Sequence, residues 1–195
     1  EKVELQMQAF RDHPNVKVCA TWAVYTDENL IPISDNSVFI QENRSRAEWI
    51  RYLLENGNCF AYASVIMDMD LKRKALPRLN RGYIQLADFY WWLCLIQETD
   101  FYVVPQILMK FRWHLSGSNR NESAPTEENG IRTKNEQADI LYHIFENISD
   151  PLFLQAFRDV LIKPDARTKE EIMCDIFFVL LRLAERKYFY EACVQ

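Results

Sequence analysis

The chain has 195 residues, of which 49% are hydrophobic, 13% aromatic and 26% charged, and its formal net charge is −5. This composition is typical of a globular protein of one domain, with or without an appendage, that can bury a substantial core. The acidic balance argues against nucleic acid as a partner, because a phosphate-binding surface needs concentrated Lys and Arg. A basic cluster between Lys72 and Arg81 could meet phosphates or anionic lipid, but a solvated helix face is the favoured interpretation.

The first third of the chain predicts a helix, a strand and a second helix. "EKVELQMQAF" has helical spacing at Val3, Met7 and Phe10 and stops at residues 13–15, where the sequence is His-Pro-Asn. "VKVCATWAVY" is rich in β-branched and aromatic residues and predicts a strand that ends in a turn near residues 27–29. Ser45 and Glu48 form a capping box. The helix that follows carries an apolar face and closes at Asn56-Gly57.

The middle of the chain continues the mixed pattern. "NCFAYASVIM", residues 58–67, predicts a strand, and a short basic helix follows Asp70. "QLADFYWWLCLI" has helical spacing with Asp88 at its start, and "FYVVPQILMKFRWH" is extended. Pro105 cannot donate to a sheet ladder, so it implies an edge strand or a break.

A polar stretch from Ser116 to Gly130 predicts a loop or linker, and the chain beyond it predicts helices alone. Thr168 and Glu171 form a second capping box, and one apolar stripe consists of Leu141, Ile144, Phe145 and Ile148. We therefore expect an α/β or α+β core over residues 1–115, a linker over 116–130 and an all-helical extension over 131–195.

Five cysteines lie far apart without a Cys-x-x-Cys pair: Cys19, Cys59, Cys94, Cys174 and Cys193. This spacing argues against a zinc knuckle or a disulfide scaffold and predicts reduced, mostly buried thiols in a cytoplasmic protein. The apolar runs are far shorter than the ~18 residues that a membrane span needs, and no signal peptide is evident. Peripheral contact with the inner face of a membrane is a weaker expectation.

Asp68-Met69-Asp70 follows an apolar stretch and has the Asp-x-Asp spacing of a metal clamp. Two carboxylates there could hold a divalent ion that bridges a diphosphate. The alternative is a solvated junction between a strand and a helix, where acidic residues favour the start of the helix. The second interpretation is the one that we expect, and the order of the motifs described next supports it.

Three segments occur together in one order: "NRSRAEWIRYLLENGNCFAYASV", then "GYIQLADFYWWLCL", then "FYVVPQILMKFRWHLSGSNRNES". This succession resembles the C-terminal half of bacterial family-2 glycosyltransferases, which have the GT-A fold and build surface polysaccharides. The resemblance covers roughly residues 1–135. "EKVELQMQAF" resembles the helix that follows the metal motif in that family. The resemblance therefore implies that the family's own Asp-x-Asp and its nucleotide-binding half would precede Glu1.

The resemblance implies a general base at Asp88, in "LADFYWW", which would take the proton from the acceptor hydroxyl. Ala87 departs from the family's usual Glu or Pro at that position. A carboxylate suits this task if apolar neighbours raise its pKa. The alternative role is a helix N-cap, which aspartate fills well.

Other residues are candidate contacts to acceptor or donor. Asn58 and Ser64, in "GNCFAYAS", match a family stretch that shapes the acceptor cleft, although Ala63 replaces its proline; packing in the core is the alternative. Trp91 could offer a stacking face to a sugar, whereas Trp92 is expected to face inward.

The resemblance also places a metal ligand at His114, within "FRWH", and a contact to the donor diphosphate at Arg112. Manganese or magnesium is the metal expected in an intact enzyme, not in this chain alone. A hydrogen-bonded surface histidine and an Arg paired with a local acid are the alternatives.

The function that we expect is transfer of a sugar, with inversion, from a nucleotide sugar to a glycan or lipid-linked acceptor, with this chain alone inactive. The alternative is a non-catalytic interaction module. In either case a homodimer could form through an exposed sheet edge or through the helical extension.

Overall fold

The computed structural model of this chain describes residues 1–33, 38–79, 82–112 and 126–184. These residues form an α/β structure, as predicted. The elements in chain order are α1 (Lys2–Asp12), β1 (Val16–Thr26), β2 (Val38–Phe39), α2 (Arg46–Asn56), a 3₁₀ turn (Tyr62–Ser64), β3 (Ile66–Met67), α3 (Met69–Leu79), α4 (Ala87–Leu95), β4 (Asp100–Arg112), α5 (Glu127–Asn147), α6 (Asp150–Phe157) and α7 (Lys169–Ala184).

β1 is the central strand of a four-stranded sheet within this part of the chain. β4 runs parallel along one side of β1, from the pair Val16–Asp100 to the pair Thr26–Arg112. The short strands β2 and β3 pair antiparallel with opposite ends of the other side of β1. The long crossover between β1 and β4 carries α2, α3 and α4, which is how parallel neighbours are normally connected.

Both faces of the sheet are covered. Cys19 of β1 packs with Ala9 of α1 on one face. Val18 and Ala20, its neighbours in sequence, point to the opposite face and join the main core with Trp49 of α2 and Trp92 of α4. A strand that is buried on both faces has an almost continuous apolar sequence, which explains the pattern of β1.

α1 is confirmed as a helix, but only Phe10 of the three apolar residues that showed its helical spacing packs against the core. Val3 and Met7 are 60% and 44% exposed. The helix instead turns Gln6 inward, where Nε2 donates to the carbonyl oxygens of Cys19 at 2.7 Å and of Ser64 at 2.9 Å. These two buried carbonyls need a donor, and this need fixes the rotation of α1 more strongly than its apolar spacing does.

The strand predicted over residues 58–67 is mostly wrong. Only Ile66 and Met67 pair with β1, and the preceding residues form a 3₁₀ turn. By contrast, β4 confirms the expectation for Pro105, because the pairing with β1 skips two residues at Pro105-Gln106. At Val103, two residues before Pro105, the side chain of Asn43 covers the edge of β4 that does not pair with β1. It accepts from the Val103 amide at 2.7 Å and donates to the Val103 carbonyl at 2.9 Å.

The three C-terminal helices complete the same core. The predicted stripe on α5 is buried, and it shares one apolar cluster with α2 and α4. Arg51 of α2 also pairs with Asp159, just after α6. α5 begins at Glu127, so residues 127–130, predicted as part of the linker, form the first turn of a helix. Residues 116–125 of that linker lie outside the described ranges.

Local sequence signals predicted several features correctly. The Ser45–Glu48 capping box is present in full. At α7, the Thr168 hydroxyl accepts from the Glu171 amide, and the Glu171 carboxylate accepts from the Thr168 amide. The cysteines Cys19, Cys59 and Cys94 are buried and unbridged, whereas Cys174 is exposed. No helix in the described ranges is long and apolar enough to cross a bilayer.

Candidate functional site

An open cleft of about 510 Å³ lies at the start of α4. Its walls come from the loop after α2, from the 3₁₀ turn and from residues 84–91. The lining residues are Asn58, Tyr62, Ile84, Gln85, Ala87, Asp88 and Trp91. Three of the residues predicted for the site, Asn58, Asp88 and Trp91, are therefore brought together in one cleft.

Asp88 is the acid in this cleft. It lies at the second residue of α4, and the N-cap residue is Leu86, so the N-cap role considered for Asp88 is wrong. The Asp88 Oδ2 atom accepts from Asn58 Nδ2 at 2.8 Å, and Oδ1 accepts from the Phe89 amide at 2.8 Å. Each carboxylate oxygen keeps a second lone pair with which it could accept a hydroxyl proton.

Burial raises the pKa of Asp88 above its ordinary value, and the hydrogen bond from Asn58 opposes that rise. Desolvation disfavours the charged carboxylate, whereas a donor to the carboxylate favours it. The net effect is a carboxylate that binds a proton more strongly than an exposed aspartate does. This property is useful in a base at a site of proton transfer.

Aromatic side chains form one wall of the cleft. Trp91 is half-buried and Tyr62 is 52% exposed, with their ring centroids 6.0 Å apart. Lys72 Nζ of α3 lies 5.4 Å from the centroid of the Trp91 ring. Trp92 is fully buried, as predicted, so only Trp91 of the pair is available to a ligand.

Glu136 of α5 holds residues 84–86, part of the cleft wall, and no sequence pattern had singled it out. Its carboxylate accepts from the backbone amides of Ile84 and Gln85 at 2.9 Å and from the amide of Leu86 at 2.8 Å. These backbone amides lie just before the first residue of α4. Because α4 has no side-chain cap of its own, the amides at its start need an acceptor from another element. One signal in the sequence was available: Glu136 is a charged residue one turn before Ile140, in line with the apolar stripe of α5.

Ser64 and Arg112, two other residues predicted for the site, do not line the cleft. Ser64 is fully buried beneath α1, so packing is the role that the structure gives it. Arg112 ends β4 as an exposed residue and does not line the cleft. His114 lies outside the described residues, and its predicted role as a metal ligand stays a prediction.

Asp68 and Asp70 form the expected junction between a strand and a helix. Asp68 Oδ1 accepts from the amides of Asp70 and Leu71 at 2.8 and 2.9 Å, which caps α3. Asp70 pairs with Arg73 at 2.8 Å on the surface. Within the described ranges, no group of three His, Cys, Asp or Glu side chains could hold a metal ion.

A larger cleft, about 670 Å³, lies between the starts of β1 and β4, the start of α2 and α6, but its polar groups serve the fold. Arg46 donates to the carbonyl oxygens of Ile96 at 3.1 Å and Gln97 at 2.7 Å. Arg44 stacks over Trp49 and donates to the Glu42 carbonyl. We therefore take the Asp88 cleft as the candidate site.

The fold and the cleft together define an α/β domain with an open, aromatic-walled cleft around one carboxylate. Comparison of the chain with profiles of protein families, with curated protein sequences and with solved structures gave no match.

Proposed function

We propose that this chain supplies the acceptor-binding side of a glycosyltransferase and that Asp88 is its general base. The observation that supports the proposal best is the position of Asp88. A carboxylate with a raised pKa lies in an open cleft, next to an amide donor and a half-buried tryptophan. Removing a proton from a sugar hydroxyl needs a base, and holding a sugar needs an aromatic surface together with hydrogen-bonding groups.

The cleft has both kinds of group. Trp91 and Tyr62 offer apolar faces against which the C–H groups of a sugar ring can pack. Asn58 and Gln85 supply amide groups that can bind hydroxyls. An open cleft of this volume has room for one or two rings of a glycan or of a lipid-linked sugar.

The proposed reaction is a single displacement. Asp88 takes the proton of an acceptor hydroxyl as that oxygen attacks the anomeric carbon of the donor. The bond from that carbon to the nucleoside diphosphate breaks, and the electron pair leaves with the diphosphate. The configuration of the sugar is inverted, and Asp88 is left protonated. In this proposal, the residues of this chain bind the acceptor and remove its proton.

Binding is tested first, on a printed array of bacterial capsular and lipopolysaccharide oligosaccharides. We expect the wild-type chain to bind a subset of these glycans and Trp91→Ala to lose that binding. Ile107→Ala is the control, because Ile107 is a large apolar residue that is 49% exposed on β4 and does not line the cleft. Equal binding by the Trp91 variant, or no bound glycan, would refute acceptor binding in this cleft.

The base is tested next, in an enzyme that combines these residues with a donor-binding side. Asp88→Asn should abolish turnover and leave glycan binding within about threefold of wild type, because the amide keeps the shape but cannot take a proton. Asn58→Ala should move the acid limb of the pH–rate profile upward, because it removes a hydrogen bond that lowers the pKa of Asp88. Substantial turnover by Asp88→Asn would remove Asp88 from this role.

A further inference from the structure

The outer face of α7 is apolar, although it points away from the core. Its inner face buries Ile172, Val179 and Leu183. On the opposite side, Met173, Phe177, Phe178 and Leu181 are 60%, 56%, 42% and 43% exposed. A helix that is apolar on all sides is normally buried, so this outer face indicates a contact that the described residues do not supply.

The spacing of the outer face fits a helix partner. Glu170, Cys174, Phe177 and Leu181 are separated by four, three and four residues, which is the seam spacing of packed helices. Three of these four residues are apolar or thiol-bearing, and the charged one stands at the N-terminal end. A seam of this kind can pack on an identical seam related by a two-fold axis.

The exposed surface is of the right size for such a contact. With about 200 Å² for each large side chain, the four exposed side chains of α7 and Tyr142 of α5 leave roughly 500 Å² of apolar surface open to solvent. An apolar groove of about 370 Å³ lies beside the seam, between α5 and α7. Two copies that pack through this surface bury about 1,000 Å² together, which is the lower bound for a specific interface.

The charges of α7 favour an antiparallel arrangement. The first turn of the helix carries Lys169, Glu170 and Glu171, with a net charge of −1, and the last turn carries Arg182. Antiparallel pairing centred near Phe177 places each Glu170 toward the Arg182 end of the other helix and opposes the two helix dipoles. Parallel pairing would place like charges together.

We propose that the outer face of α7 is a homodimer interface, in which α7 of one chain packs antiparallel on α7 of a second copy. Phe177 lies at the two-fold axis, and Cys174 of one copy lies near Leu181 of the other. This inference is independent of the proposed chemistry of Asp88.

Sedimentation equilibrium of the full chain tests the interface. The wild type should show a monomer–dimer equilibrium, and Phe177→Glu should raise the dimer dissociation constant by at least about 100-fold, since symmetry places the new charge in the interface twice. Ile107→Glu is the control, because Ile107 is a 49% exposed apolar residue on the edge strand β4. A wild-type monomer, or a dimer broken by Ile107→Glu and not by Phe177→Glu, would overturn the proposal.

Crosslinking reports the direction of the helices without any disruptive charge. With Cys193→Ser in the background, a short bismaleimide should join two copies of Leu181→Cys through the introduced thiol and Cys174 of the other copy. The same reagent should join two copies of the background protein less efficiently, because an antiparallel pair centred near Phe177 separates the two Cys174 residues by about 9 Å along the helix axis, and Cys19, Cys59 and Cys94 are buried. A yield of crosslinked dimer from the background protein equal to that from Leu181→Cys would indicate a parallel pair and refute the arrangement.

Discussion

Replacing Glu136 with alanine should destabilise the chain and loosen one wall of the cleft. The carboxylate is only 9% exposed and accepts three backbone hydrogen bonds from residues 84–86. A hydrogen bond to a charged group contributes about 1.5–3 kcal/mol, but water can reach part of this segment and replace some of the loss. We expect Glu136→Ala to cost about 3 kcal/mol of unfolding free energy.

A loss of this size should lower Tm by about 6–12 °C, since 1 kcal/mol shifts Tm by about 2–4 °C in a chain of this length. Glu136→Gln should fall between the wild type and Glu136→Ala, because its amide keeps one acceptor oxygen and directs an N–H group at backbone donors. Thermal unfolding followed by circular dichroism measures both variants. Hydrogen exchange of the Ile84, Gln85 and Leu86 amides should accelerate in Glu136→Ala.

The control is Glu128→Ala, an exposed acid in the first turn of the same helix. It removes only a favourable interaction with the helix dipole, so its effect should stay within about 0.5 kcal/mol. If Glu136→Ala lowers Tm by less than about 2 °C, or leaves exchange at residues 84–86 unchanged, the carboxylate does not hold the cleft wall.

Three further predictions concern buried or paired polar groups. Burial raises the pKa of Asp88, so ionisation of this carboxyl opposes folding at neutral pH. Asp88→Asn should therefore raise the midpoint of urea unfolding at pH 7. Near pH 3 the substitution should not raise that midpoint, because the carboxyl is then protonated. Gln6→Ala leaves the Cys19 and Ser64 carbonyls without their donor and should cost about 2–4 kcal/mol in urea unfolding. Hydrogen bonds from the Lys163 ammonium and from two backbone amides lower the pKa of Glu171 to about 2. Glu171→Gln should therefore reduce Tm at pH 7. The difference in Tm from the wild type should vanish as the pH falls toward 2, because the wild-type carboxylate is then protonated. A pH-independent effect of Asp88→Asn or Glu171→Gln, or a Gln6→Ala variant as stable as wild type, would contradict the respective argument.

The fold brings together some, but not all, of the residues that were predicted for the site. Asn58, Asp88 and Trp91 were singled out separately, and the structure places them around one cleft. Ser64 was singled out with Asn58, yet it is buried under α1. Residues 58–67 do not form the continuous strand that was predicted, and the direction of the Ser64 side chain depends on the 3₁₀ turn that stands in its place.

Glu136 shows why part of the site could not be predicted. Its three donors lie 50 to 52 residues earlier in the chain, at the start of α4. A pattern read over a few turns of helix contains no information about a partner at that distance. The sequence marked Glu136 only as a charge in line with an apolar stripe, and the stripe alone does not say what it faces.

The sequence by itself determined the features that depend on neighbours within about four residues. These are the two capping boxes, the apolar stripe of α5, the strand β1 and the junction at Asp68. The tertiary structure decided how polar side chains meet distant backbone groups: Gln6 with the carbonyls of Cys19 and Ser64, and Glu136 with the start of α4. The physical reason is that a buried donor or acceptor must find a partner wherever the packed chain supplies one, and that requirement outweighs local apolar spacing.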